Sequence, residues 1–180
     1  MKKPLVTAKT LIDIGRQFYD TFFRKCAALM ADDGVFLLHA IGRGEATDTS
    51  SPFIAKYFSP DVYAPVLSEL LVPIERAGLQ VTDIEILQGA HCAGTLQAWR
   101  QRFLMRRQEV ERLYDARFFK MWEFWFTGAE ISVDAAKVFQ IQITKRPGVV
   151  PITRDYIGRE EARLRNMEEE RRAQVGLSGT

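Results

Sequence analysis

The sequence predicts an α/β domain, and three observations carry that prediction. Residues 18–31 place apolar side chains at helical spacing, and the apolar run 35–39 follows after an Asp-Asp-Gly turn. Residues 63–77 and 79–87 repeat this helix-then-strand order, which is typical of helices that cross over a parallel sheet. Residues 138–144 alternate apolar and polar side chains, so they predict a further strand after a long helical excursion.

The first helix-strand unit is predicted to be well buried. The apolar stripe of its helix consists of Phe18, Phe22, Cys26 and Leu29. Its strand is a continuous apolar run, which is typical of a strand buried on both faces of a parallel sheet. Residues 42–51 are rich in Gly, Ser, Thr and Asp, and they predict a loop.

The second unit carries two prolines and a glycine in informative places. Pro65 suits the first turn of the predicted helix, whereas Pro73 should kink or divide it. Gly78 stands where a C-cap glycine belongs, and the β-branched residues that follow it predict a strand.

The remaining segments are helical. Residues 95–125 form a charged, aromatic helical region with a joint predicted at Tyr114-Asp115, and residues 159–172 interleave Arg and Glu as a solvated helix does.

Composition excludes several classes of protein. The 180 residues carry a net charge of +2, which argues against a dedicated nucleic-acid binder. Two Cys exclude a disulfide scaffold and indicate a reducing compartment. No apolar run approaches the ~20 residues of a membrane-spanning helix, and the two lysines near the start precede no apolar stretch that would make a secretory signal. A cytoplasmic protein is therefore expected.

Only Leu11-Ile12-Asp13-Ile14-Gly15 resembles the strand and glycine turn that open a nucleotide-binding fold. Arg16-Gln17-Phe18 follows, without the second and third glycines of such a turn. The sequence therefore predicts that the first half of the sheet, with its cofactor loop, lies outside this chain.

A series of motifs follows one order along the chain. It comprises Phe-Tyr-Asp-Thr-Phe-Phe at 18–23, Asp-Gly-Val-Phe-Leu-Leu-His-Ala-Ile-Gly at 33–42, Pro-Phe-Ile-Ala-Lys-Tyr-Phe at 52–58 and Val-Thr-Asp-Ile-Glu-Ile-Leu at 81–87. It continues with Thr-Leu at 95–96, Trp99 and Arg-Phe at 102–103, and it ends with Tyr-Asp-Ala-Arg-Phe at 114–118 and Met-Trp-Glu-Phe at 121–124. In order and spacing the series resembles the C-terminal half of cyclopropane-fatty-acyl-phospholipid synthases, over about residues 15–146. These are class I S-adenosylmethionine-dependent methyltransferases.

The resemblance implies a domain organisation. Residues 1–146 would form a partial, N-terminally truncated methyltransferase domain with an incomplete Rossmann-like sheet. A helical substrate-binding region would be inserted at about 93–136, and residues 147–180 would form a charged C-terminal helical extension.

The resemblance also implies a chemistry. The family transfers a methyl group to the cis double bond of a phospholipid acyl chain and closes a cyclopropane ring, so its pocket must protect a carbocation from water. A bicarbonate ion acts as base, held by a glutamate, a histidine, a backbone group and a tyrosine. His39 stands at the histidine position and Ile41 at the backbone position, whereas Ile12 replaces the glutamate and Cys92 the tyrosine.

The resemblance further suggests that Tyr57, Phe58, Tyr63, Trp99 and Trp122 bind substrate. Two other interpretations stay open. The aromatic side chains of the helical region at 95–125 can belong to an ordinary hydrophobic core, and His39 can be a buried structural histidine. No metal site is expected, because His39, His91 and the two cysteines lack zinc-ligand spacing.

Two functions remain open at this stage. One is a cyclopropane-synthase-like lipid methyltransferase, and the other is an inactive remnant or interaction module. S-adenosylmethionine and bicarbonate are the cofactors implied by the family, although this chain alone is not expected to bind S-adenosylmethionine. The expected partners are phospholipid acyl chains at the membrane surface, with peripheral attachment to the inner face, and a second copy or a complementing N-terminal half; no nucleic acid is expected.

Overall fold

The computed structural model describes residues 5–8, 10–45, 51–57, 63–88, 90–132 and 135–174. The elements, in chain order, are β1 Leu5–Ala8, α1 Thr10–Ile14, a 3₁₀ turn Arg16–Phe18, α2 Tyr19–Leu29, β2 Val35–Arg43, α3 Pro52–Tyr57, α4 Leu67–Arg76, β3 Gln80–Gln88, α5 Ala90–Met105, α6 Arg107–Leu113, α7 Ala116–Ile131, β4 Ala136–Thr144 and α8 Asp155–Gln174. The chain divides into two compact units, Met1–Arg146 and Pro147–Thr180.

The sheet has four strands in the order β1-β2-β4-β3, and it is mixed. β1 and β2 are parallel, whereas β4 runs antiparallel to both β2 and β3. The α/β class is confirmed, but the expectation of a parallel sheet is wrong for β4. β4 lies between β2 and β3 and runs in the opposite direction to both. The direction of a strand depends on the side from which the chain returns to the sheet, and the local residue pattern does not encode that side.

β1 is a strand that the sequence prediction missed. Its four residues pair with the stretch from Phe36 to His39 in β2. A run this short, between Pro4 and Lys9, gives too little alternation to be recognised. β1 therefore adds a strand before α2 to the predicted elements, and the segment at 11–15 that resembled a strand belongs to α1 and the glycine after it.

The buried face of α2 differs from the predicted stripe. Tyr19, Phe23 and Cys26 are buried, whereas Phe18 is 53% and Leu29 77% exposed. The helix begins one residue later than predicted, because Phe18 ends the preceding 3₁₀ turn. The core-facing positions therefore follow Tyr19 at steps of four and seven residues, which is one face of a helix.

β2 buries one face more completely than the other. Phe36, Leu38, Ala40 and Gly42 are buried, and the alternate positions are half-buried. The prediction that both faces are buried is therefore wrong. The buried face packs with Leu70 and Ile74 of α4 and with Ile141 and Ile143 of β4, all of which have no exposed surface. One core thus joins α2, α4 and one side of the sheet.

α4 begins at Leu67, four residues later than predicted. Glu69 reaches back to accept a hydrogen bond from the Val66 backbone N–H at 3.1 Å, which caps the helix start. The helix continues through Pro73 without dividing. Gly78 has a φ of +73°, which confirms the predicted left-handed C-cap.

The helical region has three helices. The predicted joint at Tyr114-Asp115 is confirmed, because α6 ends at Leu113 and Asp115 caps α7 by accepting from the Phe118 N–H at 2.6 Å. A second break at Arg106 separates α5 from α6. α5 packs on α7 through stacked rings of Phe103 and Phe119, with centroids 4.8 Å apart.

The second unit contains α8, which is longer than the predicted 159–172. Its Arg and Glu side chains form ion pairs one turn apart, such as Arg172 with Glu168 at 2.7 Å, and nearly all of its residues are exposed. The interleaved charges stabilise the helix surface, as expected for a solvated helix.

Gly42 provides a test of the packing at the end of β2. A Cβ atom at this position would collide with the ring of Phe139 and with the carbonyl oxygen of Pro65. We expect Gly42→Ala to lower the free energy of unfolding by about 1–3 kcal/mol through overpacking. Gly44→Ala is the matched control, because its Cβ would meet only Lys137 at an ordinary 3.6 Å. Equal urea midpoints for both variants would contradict the expected collision.

Candidate functional site

His39 and Ile41 lie on the half-buried face of β2. His39 pairs with Gln140 of β4 on one side and with Ala8 of β1 on the other, and Ile41 pairs with Val138. His39 is the fifth of nine residues in β2, so its predicted place at the end of the strand is wrong. It is nevertheless level with Ala8, the last residue of β1. The histidine therefore stands beside the carboxyl end of the parallel neighbour, where ligands bind in open α/β sheets.

A polar row crosses the sheet at His39. Gln140 lies opposite it in β4, and Glu85 lies opposite Gln140 in β3. Cross-strand partners point to the same face of a sheet, so these three positions share the half-buried face. Three polar side chains in a row are typical of a surface that contacts polar groups and not of a dry core.

The two substituted positions lie on other elements. Ile12 is in α1, and its carbonyl oxygen accepts a hydrogen bond from the Tyr63 N–H at 3.2 Å. Cys92 is the third residue of α5 and is half-buried. An isoleucine side chain has no polar atom, and a thiol is a weak donor. The donor set therefore does not fit a bicarbonate ion held as the family holds it.

Tyr63 belongs to a polar cluster that the sequence prediction did not identify. Its hydroxyl donates to the Glu69 carboxylate at 2.7 and 2.9 Å, and the guanidinium of Arg43 lies 4.8 Å from the centre of its ring. Arg16 forms an ion pair with Glu69 at 3.2 Å. Burial, followed by the hydrogen bond to Glu69, raises the pKa of the Tyr63 phenol. The spacing of Glu69, three residues after Val66, is the one signal that could have revealed the cluster.

Tyr19 lies beside this cluster with its hydroxyl buried and without a hydrogen-bond partner among the described residues. Burial is the main cause that raises the pKa of this phenol well above its usual range, and the charge of Glu69 adds to it. The folded protein therefore prefers the neutral phenol.

We expect Tyr19→Phe to leave the free energy of unfolding unchanged or to raise it by about 1 kcal/mol, because it removes an unsatisfied buried hydroxyl. A phenol whose pKa is raised in the folded state costs stability once the pH exceeds its unfolded pKa of about 10. The wild type should therefore lose stability above that pH more steeply than Tyr19→Phe, as measured by urea unfolding. Tyr63→Phe should instead destabilise, and a loss of stability for Tyr19→Phe near neutral pH would contradict the assignment.

Tyr57 lines an open groove between α3 and α7. The apolar lining consists of Phe53, Tyr57, Phe118, Met121 and Phe124, and the volume is about 440 Å³. We call this the α3–α7 groove. Asp115, Arg117 and Lys120 complete its lining. The guanidinium of Arg117, and then the ammonium of Lys56, lower the pKa of the Tyr57 phenol.

A second groove of about 430 Å³ lies on the other side of the Phe53–Phe124 pair, whose ring centroids are 5.0 Å apart. Ile54, Trp125 and Ala129 are among its lining residues. The two grooves therefore form neighbouring apolar surfaces along α7.

The other predicted substrate-binding residues lie elsewhere. Trp122 packs against Trp125 and Phe126, with ring centroids 5.4 and 5.9 Å away, and it is not among the described lining of either groove. Trp99 lies on α5 and is 51% exposed. Phe58 lies outside the described residues. The structure thus brings Tyr57 to an apolar groove but gives Tyr63 and Trp122 other neighbours.

Among the described residues, no helix is both long and apolar enough to cross a membrane. No group of three or more His, Cys, Asp or Glu side chains in this part of the chain is placed to hold a metal ion.

The mixed sheet and its helices define the fold of a class I S-adenosylmethionine-dependent methyltransferase. The cyclopropane synthase MmaA2 from Mycobacterium tuberculosis superposes with a TM-score of 0.70 at 19% identity, covering 79% of this chain and 56% of that one. The mycolic acid cyclopropane synthase CmaA1, solved in complex with SAH and CTAB, gives a TM-score of 0.69 at 22% identity over the same shares.

Residues 4–143 match the family model of mycolic acid cyclopropane synthetases, and the chain belongs to that family. Sphingolipid C9-methyltransferase 2 of Gibberella zeae is 29% identical over 73% of this chain. Cyclopropane-fatty-acyl-phospholipid synthase of Escherichia coli K12 is 28% identical over 76% of it. The chain spans only 26% and 35% of the lengths of these two relatives.

Proposed function

We propose that this chain forms the acceptor-binding part of an S-adenosylmethionine-dependent methyltransferase that modifies unsaturated lipid chains. The membership of residues 4–143 in the family carries the proposal. The names of the relatives specify a sphingolipid and a fatty-acyl phospholipid, so a lipid is the substrate class that these relatives share. We take the cis double bond of a phospholipid acyl chain as the methyl acceptor.

The helical region suits such an acceptor. Methyl transfer to an alkene creates a carbocation, which water would trap in an open site. Aromatic rings on α3 and α7 offer apolar surface that excludes water and π faces that stabilise a cation. The rings of Phe53 and Phe124, whose centroids are 5.0 Å apart, line the α3–α7 groove and supply such a surface.

The methyl donor has no matching loop among the described residues. α1 follows β1 almost at once and contains no glycine, and only Gly15, with a φ of +80°, interrupts the chain before α2. A cofactor loop needs glycines that let the backbone approach the ligand. We therefore propose that the donor half is supplied by residues other than these, in the same polypeptide or in a partner.

A second candidate is a non-catalytic interaction module of the same family. The observation that favours it is the loss of two polar groups, since Ile12 and Cys92 stand where the resemblance expects a glutamate and a tyrosine. Such a module would retain the half-buried sheet face for contact with a complementing half.

The proposal is tested by joining this chain to the N-terminal remainder of the Escherichia coli synthase. The native graft and a graft with Ile12→Glu and Cys92→Tyr receive unsaturated phospholipid vesicles and methyl-labelled S-adenosylmethionine. We expect label in the acyl chains with the restored graft, and at least about 100-fold slower labelling with the native graft, measured by gas chromatography of the fatty esters. Unlabelled lipid with both grafts, despite stable joining of the halves, would favour the interaction module.

We also propose that the isolated chain self-associates. β1 is an edge strand of the sheet, and the face that carries Leu37, His39 and Ile41 is only half-buried. Unpaired edges and apolar faces promote association. Sedimentation velocity should show oligomers that an added N-terminal half converts to a 1:1 complex. A monodisperse monomer at high concentration would contradict this proposal.

Attachment to lipid membranes at the inner, cytoplasmic face is the localisation that fits the proposed substrate. The proposed acceptor chain lies inside a bilayer, and a protein attached to the membrane surface could reach it from there.

A further inference from the structure

We propose that the α3–α7 groove docks on anionic bilayers, with Lys56, Arg117 and Lys120 around its mouth binding the negatively charged headgroup of a phospholipid. The inference rests on the proposed function, because it names the surface by which the lipid substrate is approached. The occupant is a phospholipid in a membrane, and it follows from the charge and the apolar character of this surface.

Several aromatic side chains at the groove are exposed. Phe124 is 64% and Tyr57 40% exposed, and the ring of Phe53 lies between them at 5.0 Å from each. Large apolar side chains that cluster on a surface mark interaction sites more often than isolated ones do. Neighbouring Tyr114, stacked on Phe118 at 4.1 Å and 65% exposed, extends the patch toward the start of α7.

An excess of positive charge surrounds the same rings. The ammonium of Lys56 lies 5.2 Å from the centre of the Tyr57 ring, and the Arg117 guanidinium reaches the Tyr57 hydroxyl. Lys120 lines the groove one turn further along α7. Within the described residues, none of these three cations forms an ion pair with a carboxylate.

The carboxylate in the lining does not offset this charge fully. Asp115 uses Oδ1 to accept a hydrogen bond from the Phe118 N–H at 2.6 Å, which ties it to the start of α7. Arg117 and Lys120 line the groove, and Lys56 lies over the ring of Tyr57 beside it. Asp115 is the one carboxylate in the described lining, so the surface carries an excess of positive charge. This combination of rings and basic groups suits the interface of an anionic bilayer, where aromatic residues enter the headgroup layer and Lys and Arg bind phosphates.

Vesicle co-sedimentation of the whole chain tests the inference. The probes are phosphatidylglycerol vesicles and phosphatidylcholine vesicles of equal size at 0.1 M NaCl, without S-adenosylmethionine. We expect at least about tenfold tighter binding to phosphatidylglycerol, since each basic residue near an anionic surface contributes about fivefold. The preference should largely disappear at 0.5 M NaCl, because salt screens such contacts.

The decisive variant carries Lys56→Glu, Arg117→Glu and Lys120→Glu. Its matched control carries Lys25→Glu, Arg102→Glu and Arg171→Glu, which change the net charge equally at exposed positions elsewhere. The groove variant should lose at least about tenfold in affinity for phosphatidylglycerol and the control less than about threefold. Circular dichroism verifies that both variants are folded. Phe124→Ser, at an exposed position, should weaken binding to the same vesicles without a change of charge.

Three outcomes would overturn the inference: equal binding to both lipids, equal losses in the groove variant and its control, or full displacement by inorganic phosphate at matched ionic strength. The last outcome would indicate a site for a free anion. The readout is independent of methyl transfer. Vesicle binding that persists when both grafts are inactive would overturn the proposed function alone, and active grafts without preference for phosphatidylglycerol would overturn this inference alone.

Discussion

The graft that carries Ile12→Glu and Cys92→Tyr should cyclopropanate phospholipid at least about 100-fold faster than the native graft. Each polar contact to a developing charge typically contributes about 10²–10³ in rate. Isoleucine and cysteine cannot supply the contacts of a carboxylate and a phenol. Ile12 lies on α1, which precedes the strand of His39 in the chain, and Cys92 lies on α5, which follows that strand. The measurement is the yield of cyclopropane fatty esters over time.

The single substitutions serve as controls for this result. Each should give an intermediate rate, because one restored group supplies part of the polar network. A graft with His39→Ala in the restored background should lose most of the gain if His39 acts at the same site. Equal activity of the native and doubly restored grafts would show that Ile12 and Cys92 do not occupy the positions inferred from the resemblance.

The second large effect concerns the methyl donor. Isothermal titration calorimetry of this chain alone should detect no binding of S-adenosylmethionine at micromolar concentrations. The segment after β1 is helical and offers one glycine, Gly15, in place of a glycine-rich loop. The intact Escherichia coli synthase is the positive control under the same conditions.

Thermal unfolding gives an independent measurement of the same prediction. A ligand at 100 times its dissociation constant stabilises a folded protein by about 2.7 kcal/mol, so specific binding would raise the melting temperature. No shift is expected for this chain with S-adenosylmethionine, and a clear shift for the positive control. Micromolar affinity or a reproducible shift would contradict the prediction and would direct attention to the residues around Gly15.

The α/β class could be predicted because periodicity is a local property. The break at Tyr114-Asp115 and the C-cap at Gly78 are fixed by residues within a few positions, and both are confirmed. The direction of β4 could not be predicted, since it depends on a return of the chain after three helices. β1 was missed because a run of four residues is too short to display an alternation of apolar and polar side chains.

In the candidate site too, some features could be predicted from the sequence and others depend on tertiary structure. The resemblance located His39 and Ile41 on a strand, and the structure places both on one face of β2. The cluster of Tyr63 with Glu69 was not foreseen, because it also needs Arg16 and Arg43, which lie far apart in the sequence. Tyr57 and Trp122 looked equivalent as aromatic residues, yet one lines a groove and the other packs among rings. Only tertiary packing distinguishes them.

The position of β4 has a consequence for biosynthesis. β4 is translated after β2 and β3, yet it lies between them and pairs with both along nearly their whole lengths. While the ribosome makes α5, α6 and α7, the facing edges of β2 and β3 therefore remain open to other chains. Long-range pairings of this kind form slowly and expose the nascent chain to aggregation. Chaperone binding during translation would be most useful in the interval before residue 144 emerges.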